Sequence, residues 1–337
     1  MTTLPRAVVC LPPHTRDRLF TAGASAELAR ITAAPGPAVI SAFDSDEGRD
    51  ALHDAEIVVT GWGSDLLTEQ VLAWAPHLRA VFHAAGSVRA VVTPAVWDRE
   101  LVVCSAADAN AIPVAEFTLA SILYAGKQVR SMAGMYRESG GDKGEVHRQH
   151  PTSSNLDKTV GLIGLSRVGR RVADLMRMFD HTVLVHDPYA TAQDARRHQV
   201  ELVGLPELMR RSDIVSVHAP ALSSTRGLVG AAELALMRDG ATLINTARPS
   251  LLDTAALTAE LVSGRIWGVL DVTDPEPLPA DSVLFTLPNV QVTPHVAGAL
   301  GSEIHRLGAL MIDEICRYGR GAPLHHQVVQ ADLARVA

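Results

Sequence analysis

The stretch that most restricts this chain is VGLIGLSRVGRRVADLMRMFD, residues 160–180. A short apolar run reaches a glycine, and helical periodicity begins a few residues later. A strand that turns so tightly into a helix points the first helical N–H groups, which lack intrahelical partners, past the strand end. The helix dipole favours negative charge at that same place. In the common spacing G-x-G-x-x-G, the glycines serve the turn, close backbone approach and helix packing. Here the residues are Gly164, Leu165, Ser166, Arg167, Val168 and Gly169, with serine in the middle slot. Serine adds only a Cβ and a hydroxyl, and the hydroxyl can donate to a phosphate oxygen. By itself the stretch is open to two readings, a phosphate cradle or an ordinary strand–helix turn.

The next strand pattern, TVLVHD, ends in Asp187. A carboxylate in that position can accept hydrogen bonds from an adenosine ribose, and it repels a 2′-phosphate. Before Pro188 it could also be a plain turn residue. Strand, turn, helix, strand and Asp in this order favour a dinucleotide site, with NAD preferred over NADP.

A chain of 337 residues exceeds one typical core and predicts two domains. With 47% hydrophobic residues it has the material to build them. A net charge of −7 argues against a nucleic-acid surface. No apolar run approaches the roughly 18 residues of a membrane span, and the N-terminus lacks the pattern of a signal peptide. Cys10, Cys104 and Cys316 are scattered and odd in number, as expected of reduced thiols in a soluble cytoplasmic protein.

Strand-like runs lie at 6–11, 55–62, 78–86 and 101–106, with a helical pattern at 65–75 and a longer one at 113–136 opening on Pro113. Residues 137–157 are polar and aperiodic and read as a long solvated loop. Its His147 and His150 have no carboxylate or Cys to complete a ligand set, so no metal is expected. Beyond it, strand patterns at 159–164, 182–186, 200–203, 213–218, 241–246, 266–271 and 289–293 alternate with helical patterns at 168–179, 205–211, 231–238 and 253–263. A final helix is expected at 299–318. The fold class is therefore α/β, with parallel sheet covered on both faces.

Three segments sit at or just after strand ends, where ligands of parallel sheets collect. They are INTARPS (244–250) with Arg248, LDVTDPEPLP (270–279) with Glu276, and VTPHVAGAL (292–300) with His295. Singly these read as a solvated Arg, an acidic turn and one His among fourteen. Together they meet a chemical need, the reduction of a 2-oxo acid. An Arg fork grips a carboxylate in two places. A His can supply a proton to a carbonyl oxygen near neutral pH, and a neighbouring carboxylate orients it and favours its protonated form.

With GLSRVG and Asp187, VSVHAP (215–220), NTARPSLLD (245–253), DVTDPEPLP (271–279), TPHVAG (293–298) and the upstream NAIPVAEFTLASIL (110–123), the chain resembles the D-2-hydroxyacid dehydrogenases over roughly residues 55–320. The resemblance implies a Rossmann cofactor domain, 111–299, inserted in a smaller flavodoxin-like substrate domain, 1–110 plus 300–337. It implies a cleft that closes over the substrate, a homodimer, and NAD-dependent exchange of hydride between a D-2-hydroxy acid and its 2-oxo acid. By resemblance Arg248 would hold the substrate carboxylate, and Glu276 and His295 would form the acid/base pair. Gly164, Ser166, Arg167 and Val168 would meet the pyrophosphate, Asp187 the ribose, and His218, Ala219, Pro220 and Thr225 the adenosine side. Thr246, Ala247, Asp271 and Gly298 would lie toward the nicotinamide. Ala85, Gly86 and Ser87 would offer backbone N–H groups to the substrate carboxylate, and Trp62 would shape substrate choice.

The chain departs from the family pattern at Ser166, at Pro249 where a glycine usually follows the Arg, and in GSVRAV, which lacks the family's frequent Asp after Gly86. An alternative reading from another class is an NAD(H)-sensing corepressor-like binding protein on the same fold. A formate enzyme would carry Gln at the Glu276 position and a phosphite enzyme Lys at Ala85; neither is present.

Overall fold

Runs such as AVVC, IVVT and AVFH have no polar face to offer water, so they form strands only where both faces are covered. In a computed structural model, which describes residues 4–334, they do so; the extreme ends of the expected 1–110 and 300–337 segments lie outside the described residues. The chain divides into two compact units, one made of the residues up to Ala111 and from Ala299 onward, the other of Ile112–Gly298.

In the first unit, β1 (Ala7–Cys10), β2 (Ala38–Ile40), β3 (Ile57–Thr60), β4 (Ala80–His83) and β5 (Val102–Ser105) form a sheet of order β2-β1-β3-β4-β5. All its ladders are parallel. This is the flavodoxin-like order. Strand residues alternate between two cores. Val9, Ile57, Val59 and Phe82 pack with Leu19, Leu28 and the Ile304–Gly319 helix. Val8, Val58, Val81 and Val103 pack with Leu52, Val71, Leu72 and Val96 on the other face. The exposed edge of β5 is closed by the C-terminal segment: Ser105 N–H donates to His326 O (3.1 Å) and Val328 N–H to Val103 O (2.7 Å).

In the second unit, β6 (Lys158–Ile163), β7 (His181–His186), β8 (Glu201–Leu202), β9 (Ile214–Val217), β10 (Thr242–Asn245), β11 (Trp267–Leu270) and β12 (Val290–Val292) are ordered β12-β11-β10-β9-β6-β7-β8. Every ladder is again parallel. The order is the Rossmann arrangement extended by one strand, and its direction switches between β6 and β9. The strands are sandwiched by Leu208, Leu234, Leu257 and Leu261 on one face and by Ile122, Val172 and Met176 on the other.

Three expectations need correction. The helix expected at 113–136 begins at Ala107, so Pro113 is interior to Ala107–Gly126. Burial of Val114, Ala115, Thr118 and Ile122 offsets the lost N–H. It ends before Gln128, which takes a left-handed φ of 48°, and a second helix, Val129–Glu138, follows. The expected loop at 137–157 contains the helix Lys143–Gln149, capped by Asp142. His150 is not a solvated loop residue: it is half-buried, with Nδ1 on Val146 O (2.8 Å) and Nε2 on Ser131 Oγ (2.7 Å). The final helix starts at Ile304, after a single 3₁₀ turn, rather than at 299. The strand β2 and the helices Pro13–Leu19, Ala22–Arg30 and Asp46–His53 were not anticipated. No helix among the described residues is long and apolar enough to cross a membrane.

Candidate active site

The residues singled out in the second unit gather at the carboxyl ends of its strands. β6 ends into Gly164, whose φ of +100° favours glycine. A Cβ there would also stand 2.6 Å from Ala219 N, so the loop after β9 closes directly on this turn. Ser166 caps the Arg167–Met176 helix, its Oγ accepting Gly169 N–H at 3.4 Å. The hydroxyl proton is left to donate elsewhere. A Cβ on Gly169 would meet Gly164 O at 2.1 Å, so only glycine lets the helix start this close to the strand. Ser166, Arg167 and Val168 remain partly exposed at the helix start.

Asp187 follows β7 and reaches back to the same turn. Its Oδ2 accepts Leu165 N–H (2.7 Å) and its Oδ1 accepts Tyr189 N–H (2.8 Å). The carboxylate thus fixes the turn's backbone and keeps further lone pairs for a ligand. His218, after β9, is buried with Nε2 on Ser216 Oγ (2.9 Å), while Nδ1 has no partner among the described residues. Burial pushes its imidazole down to about 3, so it is a neutral wall beside Ala219. Pro220 and Thr225 belong to one loop: Thr225 Oγ donates to Pro220 O (2.6 Å) and accepts Leu222 N–H (2.9 Å).

At the end of β10, the buried Asn245 shapes the next loop. Its Oδ1 accepts Ala247 N–H and its Nδ2 donates to Arg248 O, each at 3.0 Å. Thr246 Oγ meets Thr118 Oγ at 3.1 Å. Arg248 is exposed, donates to Ala247 O (2.7 Å) and forms no ion pair among the described residues. Pro249 opens a 3₁₀ turn, Pro249–Leu251, and Arg248 before it is extended, as a residue preceding proline should be.

After β11 stands Asp271, 1% exposed. Its Oδ1 accepts Thr293 Oγ–H (2.6 Å) and Val296 N–H (2.8 Å), its Oδ2 accepts Ala297 N–H (2.9 Å), and its carbonyl accepts His295 N–H (3.0 Å). One buried carboxylate therefore organises the whole segment from Thr293 toward Gly298. Within it His295 holds a left-handed φ of 54°. His295 Nδ1 meets Glu276 Oε1 at 2.7 Å, with both side chains about half exposed. Nε2 is the nitrogen left without a hydrogen bond among the described residues. Arg248 makes no hydrogen bond with either member of that pair. Asn245, Thr293 and the clamp role of Asp271 escaped the sequence reading, although a lone Asp closing the apolar run WGVL already demanded buried partners.

In the first unit, Thr60 ends β3 and Trp62 follows it, 40% exposed. After β4, Ala85 O accepts Ala106 N–H (3.0 Å), while the amides of Ala85 and Gly86 find no protein acceptor among the described residues. Ser87 caps a 3₁₀ turn, Val88–Ala90. Asn110, whose Oδ1 accepts Ala299 N–H (3.1 Å), stands against Gly86: a Cβ there would lie 3.5 Å from its Nδ2.

A family model described as the NAD-binding domain of D-isomer specific 2-hydroxyacid dehydrogenases matches residues 119–297. The D-3-phosphoglycerate dehydrogenase of Methanocaldococcus jannaschii is 31% identical over 286 residues, which are 84% of this chain and 53% of that protein. The (S)-sulfolactate dehydrogenase of Chromohalobacter salexigens is 33% identical over 255 residues, covering 74% of this chain and 80% of that one. The chain spans about half the length of the phosphoglycerate dehydrogenases it matches. Among solved structures, apo D-mandelate dehydrogenase of Rhodotorula graminis superposes with a TM-score of 0.80 over 97% of this chain and 98% of that one, at 22% identity, which is a likeness of fold.

Proposed function

Because this chain belongs to the D-isomer specific 2-hydroxyacid dehydrogenases, we propose that it exchanges hydride between NAD and a small 2-hydroxy acid, working as a 2-oxoacid reductase. The observation that carries the reading is the 2.7 Å contact of His295 Nδ1 with Glu276, on a loop held by the buried Asp271. The residues present fit the dinucleotide: a glycine turn closed on Ala219, a serine-capped helix start, and Asp187 beside the turn. Gly164, Ser166, Arg167 and Val168 would hold its pyrophosphate, Asp187 a ribose, and His218, Ala219, Pro220 and Thr225 the adenosine side. Thr246, Ala247, Asp271 and Gly298 would lie toward its other end. Bound NADH supplies the hydride.

The protein's own groups do the rest. Arg248, exposed and without an ion pair among the described residues, grips the substrate carboxylate and draws electron density toward the C2 oxygen. His295 gives its Nε2 proton to that oxygen as the C2–H bond forms, and Glu276 stabilises the imidazolium beforehand. In the oxidation direction the same nitrogen takes the hydroxyl proton back. The amides of Ala85, Gly86 and Ser87 suit a carboxylate, and exposed Trp62 suits a substrate side chain with apolar surface. Three free thiols, two of them buried, agree with a cytoplasmic location. The cavity lined by Phe117, Tyr124, Trp267 and Val269, together with Gln128 and Arg130, offers apolar surface of the kind a homodimer would cover.

Arg248→Ala tests the assignment. It should lower kcat/KM on 2-oxo acids by about a hundredfold or more while NADH binding stays within about twofold. Turnover close to wild type would sink the carboxylate anchor.

A further inference from the structure

Thr60 and His83 are register partners at the carboxyl ends of β3 and β4. In a parallel ladder such partners rise from the same face. Their side chains meet there, Thr60 Oγ to His83 Nδ1 at 3.0 Å, in a buried contact. Thr60 is 0% and His83 2% exposed, so neither can turn to water instead. The ring also faces the backbone of Ser87, which favours the protonated form of the imidazole. With its proton on the nitrogen away from Thr60, Nδ1 accepts the Thr60 hydroxyl proton, and one neutral tautomer suits both sides. Burial pushes the imidazole down to about 4, which keeps that tautomer in place at neutral pH.

The two ends of this contact lead into two turns. Thr60 precedes Gly61 and Trp62, and His83 precedes Ala84 to Ser87. The main chain runs the same way, with Ala84 N–H on Thr60 O (2.7 Å) and Ala106 N–H on both His83 O and Ala85 O (3.0 Å). We propose that His83 is a positioning residue for substrate, tying the Trp62 turn to the Ala85–Ser87 turn and so aiming their amides at the carboxylate of a 2-oxo acid. This rests on the reading of the chain as a 2-oxoacid reductase. His83 touches no reacting atom; it acts through Ser87 and Thr60.

The test is oxamate binding to the NADH-loaded protein by calorimetry, alongside turnover of 2-oxo acids. Thr60→Val removes one hydroxyl at nearly constant shape and leaves Nδ1 unpaired; Thr60→Ser keeps the hydroxyl. The valine variant should bind oxamate about tenfold more weakly and raise KM to match, with kcat and NADH affinity within about twofold. The serine variant should match wild type. His83→Gln, whose amide can still donate toward Ser87, should recover part of what His83→Leu loses. Unchanged oxamate affinity in Thr60→Val and His83→Leu, with only the melting temperature lowered, would overturn the proposal and leave a structural histidine. Wild-type protein that binds oxamate but reduces no 2-oxo acid would refute the functional reading while the Thr60 and His83 comparison still decides this one. Wild type that does neither overturns both.

Discussion

Asp271→Asn is nearly isosteric, yet it should damage both stability and turnover. The carboxylate accepts three hydrogen bonds, two on Oδ1 from Thr293 Oγ and Val296 N–H and one on Oδ2 from Ala297 N–H. An amide offers only one oxygen. With that oxygen in the Oδ1 place, the NH₂ faces Ala297 N–H, donor against donor. With it in the Oδ2 place, the NH₂ faces Val296 N–H. The first orientation retains two bonds and strands one buried N–H, which costs about 2–3 kcal/mol. The same bonds hold His295 at its left-handed backbone angle, so a share of that energy is lost from the positioning of the proposed proton donor. About 2 kcal/mol lost in the transition state corresponds to roughly thirtyfold in kcat. Urea unfolding followed by tryptophan fluorescence and steady-state NADH oxidation would measure the two effects on one preparation. A variant within about 0.5 kcal/mol of wild type, with kcat unchanged, would refute the clamp.

Acid should weaken the fold through two histidines. Burial lowers His83 to about 4 and His218 to about 3 from an ordinary 6.5, so the unfolded chain takes up protons that the folded chain refuses. The stability they carry is complete above about pH 6.5 and declines as pH falls toward 4 and then 3. Between about pH 7 and pH 5 each should cost about 2 kcal/mol. Urea midpoints at the two pH values should show the loss, His218→Gln should remove about half of it, and an unaltered slope in that variant would contradict the assignment. Asp187→Ala removes the acceptor of Leu165 N–H as well as the ribose partner proposed above. NADH should bind about tenfold more weakly and the preference over NADPH should shrink. Unchanged selectivity in fluorescence titrations would count against the ribose contact.

The parallel strands of the second unit were readable because buried strands are short runs of Val, Ile and Leu set between helical patterns and turn residues. In the first unit β2 was not, being three residues, Ala38–Ile40, directly after Pro35-Gly36-Pro37. The helix Ala22–Arg30, rich in Ala with a single buried Leu28, gave little periodicity to detect. Pro113 reads as a helix start because propensity alone forbids it inside; tertiary burial of its neighbours decides otherwise. At the site, residue types and their order pointed to Gly164, Asp187, Arg248, Glu276 and His295. What they could not show were contacts that depend on register or on loop conformation. Asp271 appeared as one more acid near the cofactor, not as the clamp on the His295 loop. The Thr60–His83 contact needs β3 and β4 aligned to the residue. The fully buried Glu314, which accepts the amides of His325 and His326, is a contact of the same kind, made only once the segment after its helix folds back.

The central claim is that the Glu276–His295 pair and Arg248 reduce a 2-oxo acid with a nicotinamide cofactor. Steady-state oxidation of NADH, with NADPH in parallel, against a panel of 2-oxo acids of graded side-chain size and charge tests it most directly. Saturable turnover of at least one of them is expected, faster with NADH than with NADPH, with product of the D configuration. Tight NADH binding with no turnover of any 2-oxo acid would contradict it and favour a protein that senses the cofactor without using it.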